Sequence, residues 1–308
     1  MFSVLYPLLL TACTIGNVLN LVLLISTKRQ KTTNAYMIAV AIADIIVLSW
    51  TFFPPYLWNT SATLHLPYKN RHNWAIVSAA LPYTIWIQET FIQMCDWVLT
   101  AFSLERLLAI ARPFTFKWVQ RATTARIVII VLLLFSIVFN SGNFLREWYL
   151  WRYTLTIGTL PAWLKDWTKA QDAAEVVVSF LKFFGLLCIN VLVIGALNRQ
   201  QRSDIGQQRS AQAVTSLRRS KSSNHLLLGS VALYLTTLLP SMVYKFLEMA
   251  DTYKVYNFDP SAKLFATPFC DVTMLTNYSV NFFLYLTVSE NYRVQFMRLF
   301  GECCARRG

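Results

Sequence analysis

Four stretches of the chain contain no Asp, Glu, Lys or Arg: Met1 to Thr27, Ile127 to Leu145, Ser222 to Tyr244 and Val272 to Ser289. Each is near the ~20 residues that a helix needs to cross the hydrocarbon of a bilayer. Three more apolar stretches are broken only by isolated charges: about 34–57 around Asp44, about 75–111 around Glu89, Asp96 and the adjacent Glu105 and Arg106, and about 172–198 around Lys182. The pattern predicts an all-α membrane protein, a seven-transmembrane helix bundle in one domain over 1–308, with helices at about 3–27, 34–57, 75–111, 122–145, 172–198, 222–250 and 262–288. No internal repeat is present, and helix 1 is expected to act as its own insertion signal. The Gln-, Ser- and Arg-rich segment Arg199 to Ser223 is expected to extend helices 5 and 6 beyond the bilayer. After helix 7, Tyr292, Phe296, Leu299 and Phe300 fall on one side and Arg293 and Arg298 elsewhere, which predicts a short amphipathic helix over about 290–301 on the inner leaflet.

Composition agrees, since 56% of the 308 residues are hydrophobic and only 14% charged, a balance foreign to a water-soluble globule. Charge then sets the orientation. With the carboxyl end inside, the inner loops and tail hold 17 Lys/Arg and the outer loops 9, so the amino end is expected outside and the protein in the plasma membrane. The net charge of +13 is thereby assigned to contact with membrane lipids at the inner surface, and nucleic acid is not expected as a partner. None of the six cysteines falls in an outer loop, so no loop-to-helix disulfide can be drawn. Cys303 and Cys304 are either palmitoylation sites following the amphipathic helix or two free thiols. Asn59-Thr60-Ser61, placed in an outer loop, is a glycosylation sequon.

Five local motifs, in order, carry a family resemblance. Gly16-Asn17 stands in helix 1, "VAIAD" ending at Asp44 in helix 2, Glu105-Arg106-Leu107 at the inner end of helix 3, Pro240 in helix 6, and "NFFLY", Asn281 to Tyr285, in helix 7. Over essentially its whole length the chain resembles the rhodopsin-like G-protein-coupled receptors. "SLERLLAIARPF", "FSIVFNSGNF" and "LTNYSVNFFLYLTVSENYR" are similar to the FMRFamide and myosuppressin type of invertebrate neuropeptide receptors and to related nematode chemoreceptor-like receptors. The resemblance implies a heterotrimeric G protein as partner, an extracellular peptide or small-molecule ligand, and an activation switch made of Glu105, Arg106, Pro240, Asn281 and Tyr285. It also implies a polar site of Asn17, Asp44, Cys95, Asn277 and Asn281, which in the family holds sodium and water. Here Cys95 replaces a serine and supplies no oxygen, which favours a water-filled network over a sodium ion; no cofactor is otherwise expected. Several family features are altered: Leu81 stands at the helix 3 cysteine, Leu238 at the helix 6 tryptophan, and Phe282 at the helix 7 proline.

Charge within a bilayer is costly unless it faces the bundle and finds a partner, so each intramembrane ionisable group marks a candidate site. Asp44 lies 13 residues, roughly 20 Å, from Lys31 and hence near mid-membrane. Asp96 precedes Arg112 by 16 residues and Lys182 precedes Arg199 by 17, so the two share a depth of roughly 25 Å from the inner edge. That match predicts an Asp96–Lys182 ion pair beside Tyr234; two charges snorkelling to separate water pockets is the alternative. Glu105 and Arg106 likewise admit a plain surface ion pair. Gln88, Glu89, Gln93, Leu238 and Asp271 are the ligand-pocket candidates, with acids around the outer vestibule suiting a cationic ligand such as an Arg-Phe-amide terminus, although interspersed lysines leave solvated mixed charge open. Gln88 stands where amine receptors carry an aspartate, and helix 7 has no lysine for retinal. An orphan chemosensory receptor, or a transporter or channel relaying through Asp44, Asp96 and Lys182, is the alternative. An enzyme is not expected, because His65, His72 and His225 lack metal-site spacing and no nucleophile is paired with a base.

Overall fold

The computed structural model describes residues 2–26, 32–63, 71–111, 115, 116, 118, 119, 121–156, 161–205, 211–257, 259, 260–289 and 292–298, with backbone alone at 2–6, 51–63, 71–79, 151, 154–156, 200–205, 211–227, 260 and 264. The helices are α1 Phe2–Ser26, α2 Thr32–Thr63, α3 Arg71–Ala111, α4 Ala122–Thr156, α5 Ala162–Ile205, α6 Ala211–Thr252 and α7 Pro260–Val288, followed by a short helix over 292–298. α3 lies at the centre against α2, α4 and α5 and touches α6. The ring closes through α6 against α7 and α7 against α1.

Bilayer physics decides which surface is apolar. Leu8, Ile15, Val22 and Ile25 on α1, Ile127, Ile130, Leu134 and Val138 on α4, and Leu181, Phe184 and Val191 on α5 are exposed at helical spacing. In water such stripes would drive association, whereas against lipid tails they cost nothing. Among the described residues, five spans are long and apolar enough to cross: Pro7–Ser26, Thr32–Trp50, Ala122–Leu150, Ala162–Arg199 and Leu228–Thr252. The interior is mixed. Tyr36, Val98, Phe102, Leu186, Val231 and Tyr234 pack one apolar cluster, while Asn17, Asn20, Asp44, Asp96, Ser103 and Asn190 are buried beside such clusters. The bundle interior thus houses polar chemistry and the lipid face excludes it.

Several ends differ from the sequence expectation. α4 ends at Thr156 rather than about 145, and α5 starts at Ala162 rather than about 172, because Arg146, Glu147, Lys165 and Asp166 lie on helix outside the apolar core, where charge is tolerated. α5 reaches Ile205 and α6 begins at Ala211. α2 continues to Thr63, so Asn59 lies in helix near its outer end rather than in a loop; its side chain is outside the description. Residues 290, 291 and 299–301 of the expected amphipathic helix, and Cys303 and Cys304, lie outside the described residues.

Two local devices shape the inner end. A Cβ on Gly16 would stand 2.9 Å from Phe282 Cβ, so glycine alone lets α7 approach α1 this closely. α7 stops at Ser289, whose N–H still reaches Tyr285 O while its hydroxyl accepts from the Tyr292 N–H, capping the short helix as the long one ends. Arg293 donates to the Leu286 and Thr287 carbonyls at 3.2 and 2.6 Å, satisfying the last carbonyls of α7.

Candidate functional site

Near the inner end of α3, Arg106 donates from Nη2 to Thr33 Oγ1 of α2 at 2.6 Å and to Glu105 Oε1 at 3.3 Å, and its guanidinium carbon lies 5.4 Å from the Phe102 ring centroid. Glu105 is only 2% exposed, yet among the described residues its Oε2 has no hydrogen-bond partner, nor has Arg106 Nε. Both members of the pair therefore keep hydrogen-bonding capacity beyond their described partners. Thr33 was not singled out from sequence, since nothing in "KTTNAY" separates a helix-start threonine from a receptor for a guanidinium. The α6 side chains 211–227, where the family resemblance places a second restraint on Arg106, are outside the description.

One step deeper, a cavity of about 20 Å³ is bounded by Tyr36, Phe102, Ser230, Asn281 and Tyr285, which is room for about one water. Ser230 of α6 and Tyr285 of α7 face each other across this cavity. Pro240 lies within α6 and removes one N–H from its hydrogen-bond ladder.

At mid-membrane Asp44, 1% exposed, accepts from Asn281 Nδ2 at 2.7 Å and faces Cys95 Sγ at 3.7 Å. Asn17 lies alongside, donating to the Tyr278 carbonyl at 3.3 Å and to Cys13 Sγ at 3.2 Å. Asn277 is buried but joins none of these bonds, so the structure does not bring it into the set. Asn20 extends the chain, donating to Asn17 Oδ1 at 3.2 Å and accepting from the Tyr292 hydroxyl of the short helix. Cys13, Asn17 and Asn20 follow an i, i+4, i+7 spacing on an otherwise apolar helix, a signal from which Cys13 and Asn20 could have been found. A hard cation needs several oxygen ligands. Here the two Asp44 oxygens face an amide N–H and a thiol, and Asn17 Oδ1 is engaged by Asn20, so these residues do not fit sodium.

Above Asp44, Lys182 Nζ sits 2.6 Å from Asp96 Oδ2 and 2.7 Å from Gln93 Oε1. The Lys182 and Asp96 side chains are 9% and 5% exposed. Tyr234, also buried, brings its hydroxyl near the Asp96 carboxylate without reaching hydrogen-bond geometry. Gln93, expected in a ligand pocket, is therefore bound into the charged connector. Its place one helical turn from Asp96 was the overlooked cue.

Of the remaining outer candidates, Glu89 lies within electrostatic reach of Lys245, Glu175 and Lys182. Gln88 is half-buried, Leu238 packs against the apolar cluster around Val98 and Tyr234, and Asp271 on α7 is exposed and forms no ion pair among the described residues. Glu89 and Glu175 share the neighbourhood of Lys245, and Asp271 does not join them.

The profile of the 7 transmembrane receptor (rhodopsin family) matches residues 16–285. The chain belongs to the rhodopsin family of seven-transmembrane receptors. A thyrotropin-releasing hormone receptor of Gallus gallus is 22% identical over 92% of this chain and 74% of its own length. A probable G-protein coupled receptor of Caenorhabditis elegans is 20% identical over 93% of this chain and 66% of its own. This rhodopsin-family member is a multi-pass membrane protein and a receptor, not an enzyme. Within the family pattern, the exposed Leu81 stands where a helix 3 cysteine is expected, and the described cysteines Cys13, Cys95, Cys188 and Cys270 are all free. Outer order instead rests on rings: Tyr149, Tyr153, Trp163 and Trp167 join α4 to α5 with centroids 5.6–6.5 Å apart.

Proposed function

We propose that this receptor, with its amino end outside, transduces an extracellular ligand of the neuropeptide class to a heterotrimeric G protein at the plasma membrane. The observation that carries the reading is Arg106, restrained by Thr33 and Glu105, with valence on both sides of the pair not taken up among the described residues. A ligand favouring one arrangement of α3, α5 and α6 shifts the population in which the guanidinium leaves these partners for the G protein. Asp44, Asn281 and Tyr285 lie between the outer half and that inner switch and would carry the change. The peptide class finds support in the hormone receptor of Gallus gallus, although the low identity carries no ligand with it. An orphan chemosensory receptor is the second reading. Asn59 as glycan acceptor and Cys303 and Cys304 as acylation sites complete the proposal.

The test is signalling in cells that co-express a promiscuous G protein, with a panel of amidated peptides and with surface expression measured in parallel. Arg106→Ala is expected to abolish basal and ligand-driven signalling at unchanged surface level. Full signalling by that variant would overturn the coupling role, and well-expressed wild-type receptor silent to every peptide would favour the chemosensory reading.

A further inference from the structure

On the lipid-facing side of the bundle a cleft opens between α5 and α6. It encloses about 600 Å³ and is walled by Val176, Phe180, Phe184 and Cys188 of α5 and by Phe246 and Met249 of α6. Phe184 and Phe246 are about half exposed, and Cys188 is an exposed free thiol. Counted back from Arg199 at ~1.5 Å per residue, Cys188 lies roughly 16 Å and Val176 roughly 35 Å from the inner edge. In a hydrocarbon core of ~30 Å the cleft therefore runs through the outer leaflet and ends at the outer boundary.

Apolarity alone selects no occupant in a bilayer, because lipid tails are as apolar as the wall, so shape and the rim must decide. The Phe180 and Phe184 rings stack with centroids 6.0 Å apart and planes 18° apart, which makes one flat wall. Phe246 meets Phe180 at 6.1 Å and 75° and closes the corner. Beside them Gly185 leaves a notch, since a Cβ there would meet no atom within 4 Å. A flexible acyl chain loses rotational freedom in following a flat, cornered and notched wall, whereas a rigid fused-ring body has little to lose and keeps its dispersion contacts. The rim is polar. Glu175 precedes Val176, Lys245 stands one helical turn from Met249, and the two charged groups lie 4.0 Å apart, beyond hydrogen-bond reach. A hydroxyl, both donor and acceptor, can enter between them, donating to Glu175 and accepting from Lys245. A carboxylate or ammonium head would suit one partner and repel the other.

We infer that the α5–α6 cleft seats a membrane sterol, its fused rings against Phe180, Phe184 and Phe246 and its hydroxyl at the Glu175–Lys245 pair. The site lies on the lipid face, outside the bundle, and does not depend on the receptor reading above. Gly185 sets its specificity, because a side chain there fills the space that the ring system takes. Lys182 and Phe184 share one turn of α5, the first bound to Asp96 inside and the second exposed to lipid, so an occupant bears on the helix that carries the connector.

The experiment uses purified full-length receptor in phosphatidylcholine nanodiscs carrying a photoreactive diazirine sterol, with cross-linked peptides located by mass spectrometry. Cross-links are expected on 176–188 and around Phe246, about fivefold above those on the equally lipid-facing row of Ile127, Ile130 and Leu134 on α4. Excess cholesterol should remove them. Oleyl alcohol, a hydroxyl on a flexible chain, and cholestenone, whose ketone only accepts, should each compete about fivefold less well. Gly185→Leu is expected to lose the enrichment while the sterol-free unfolding midpoint stays at or above the parent value, since the new side chain enters open space and leucine favours helix over glycine. Phe184→Ala, on the exposed side of α5, provides a second variant with the same expected loss. Cross-links spread evenly over α4 and α5, equal competition by either analogue, or unchanged cross-linking in both variants overturns the inference.

Discussion

The inner and outer halves of the bundle solve one problem, order without water, by opposite means. The inner half is a chain of hydrogen bonds, from Asn281 and Asp44 through Cys13, Asn17 and Asn20 to Tyr292, with the Arg106 cluster alongside. The outer half has no disulfide among the described cysteines and relies on stacked rings and a few ion pairs, while Trp86 Nε1, Thr90 Oγ1, Gln93 Nε2 and Trp97 Nε1, a row of donors on α3, have no acceptor among the described residues. Hydrogen bonds in low dielectric impose one geometry, whereas ring contacts tolerate sliding at small cost. The contrast suits a receptor whose output end switches between defined states and whose input end adapts its packing. The Asp96–Lys182 pair is the joint between the two halves.

Breaking that joint gives the largest expected effect. Asp96→Lys leaves Lys182 buried against a second cation, a loss of about 3–5 kcal/mol in the range known for severed buried pairs, and surface expression should vanish by flow cytometry. The double exchange Asp96→Lys with Lys182→Asp should restore expression. Failure of the exchange would show that Gln93 and Tyr234, rather than the opposite charges, set the geometry.

The depth match that led to this pair shows what kind of information the sequence carries. Intramembrane charges stand out from an apolar background, and a rise of ~1.5 Å per residue turns chain position into depth, so Asp44, Asp96, Lys182 and Arg106 could be placed at once. Seven spans were legible for the same reason. The far ends of α4 and α5 were not, because Arg146, Glu147, Lys165 and Asp166 end an apolar run without ending a helix. Partners such as Thr33 and Tyr292 are ordinary residues that acquire meaning only when two helix faces meet, and no spacing within either segment announces them. The unpartnered row on α3 lies between these cases. Its periodicity was on view, but its lack of partners among the described residues exists only in the fold.

A smaller effect probes the outer half. Trp163 contacts Tyr149, Tyr153 and Trp167, so Trp163→Ala forfeits three ring contacts worth roughly 0.5–1.5 kcal/mol each. Partial exposure of the indole puts the expected loss near the lower end, about 2 kcal/mol in all. The unfolding midpoint should fall while basal signalling per surface receptor stays constant. An inner change of similar or lesser size should do the reverse. Tyr292→Phe keeps the ring against Tyr285 but removes the hydroxyl that donates to Asn20, costing about 1 kcal/mol. Basal signalling per receptor should nonetheless change clearly, because that bond ties the short helix to the polar chain through Asn20 and Asn17. If Trp163→Ala changed signalling and Tyr292→Phe did not, the division between the halves would be wrong.

The smallest expected effect concerns the ion pairs of the outer half. Arg146 Nη1 lies 2.8 Å from Asp172 Oδ1 and Nη2 lies 3.0 Å from Glu147 Oε1, which ties α4 to α5 beside the ring cluster. Asp172 is 46% exposed, and a pair open to solvent typically contributes about 0–1 kcal/mol. Asp172→Asn keeps the shape and leaves Arg146 its bond to Glu147, so the midpoint should fall by no more than that, and the difference between variant and parent should shrink as salt screens the exposed partner. A larger, salt-insensitive loss would mean that this charge, and not the stack of Tyr149, Trp163 and Trp167, holds α4 to α5 at the outer end.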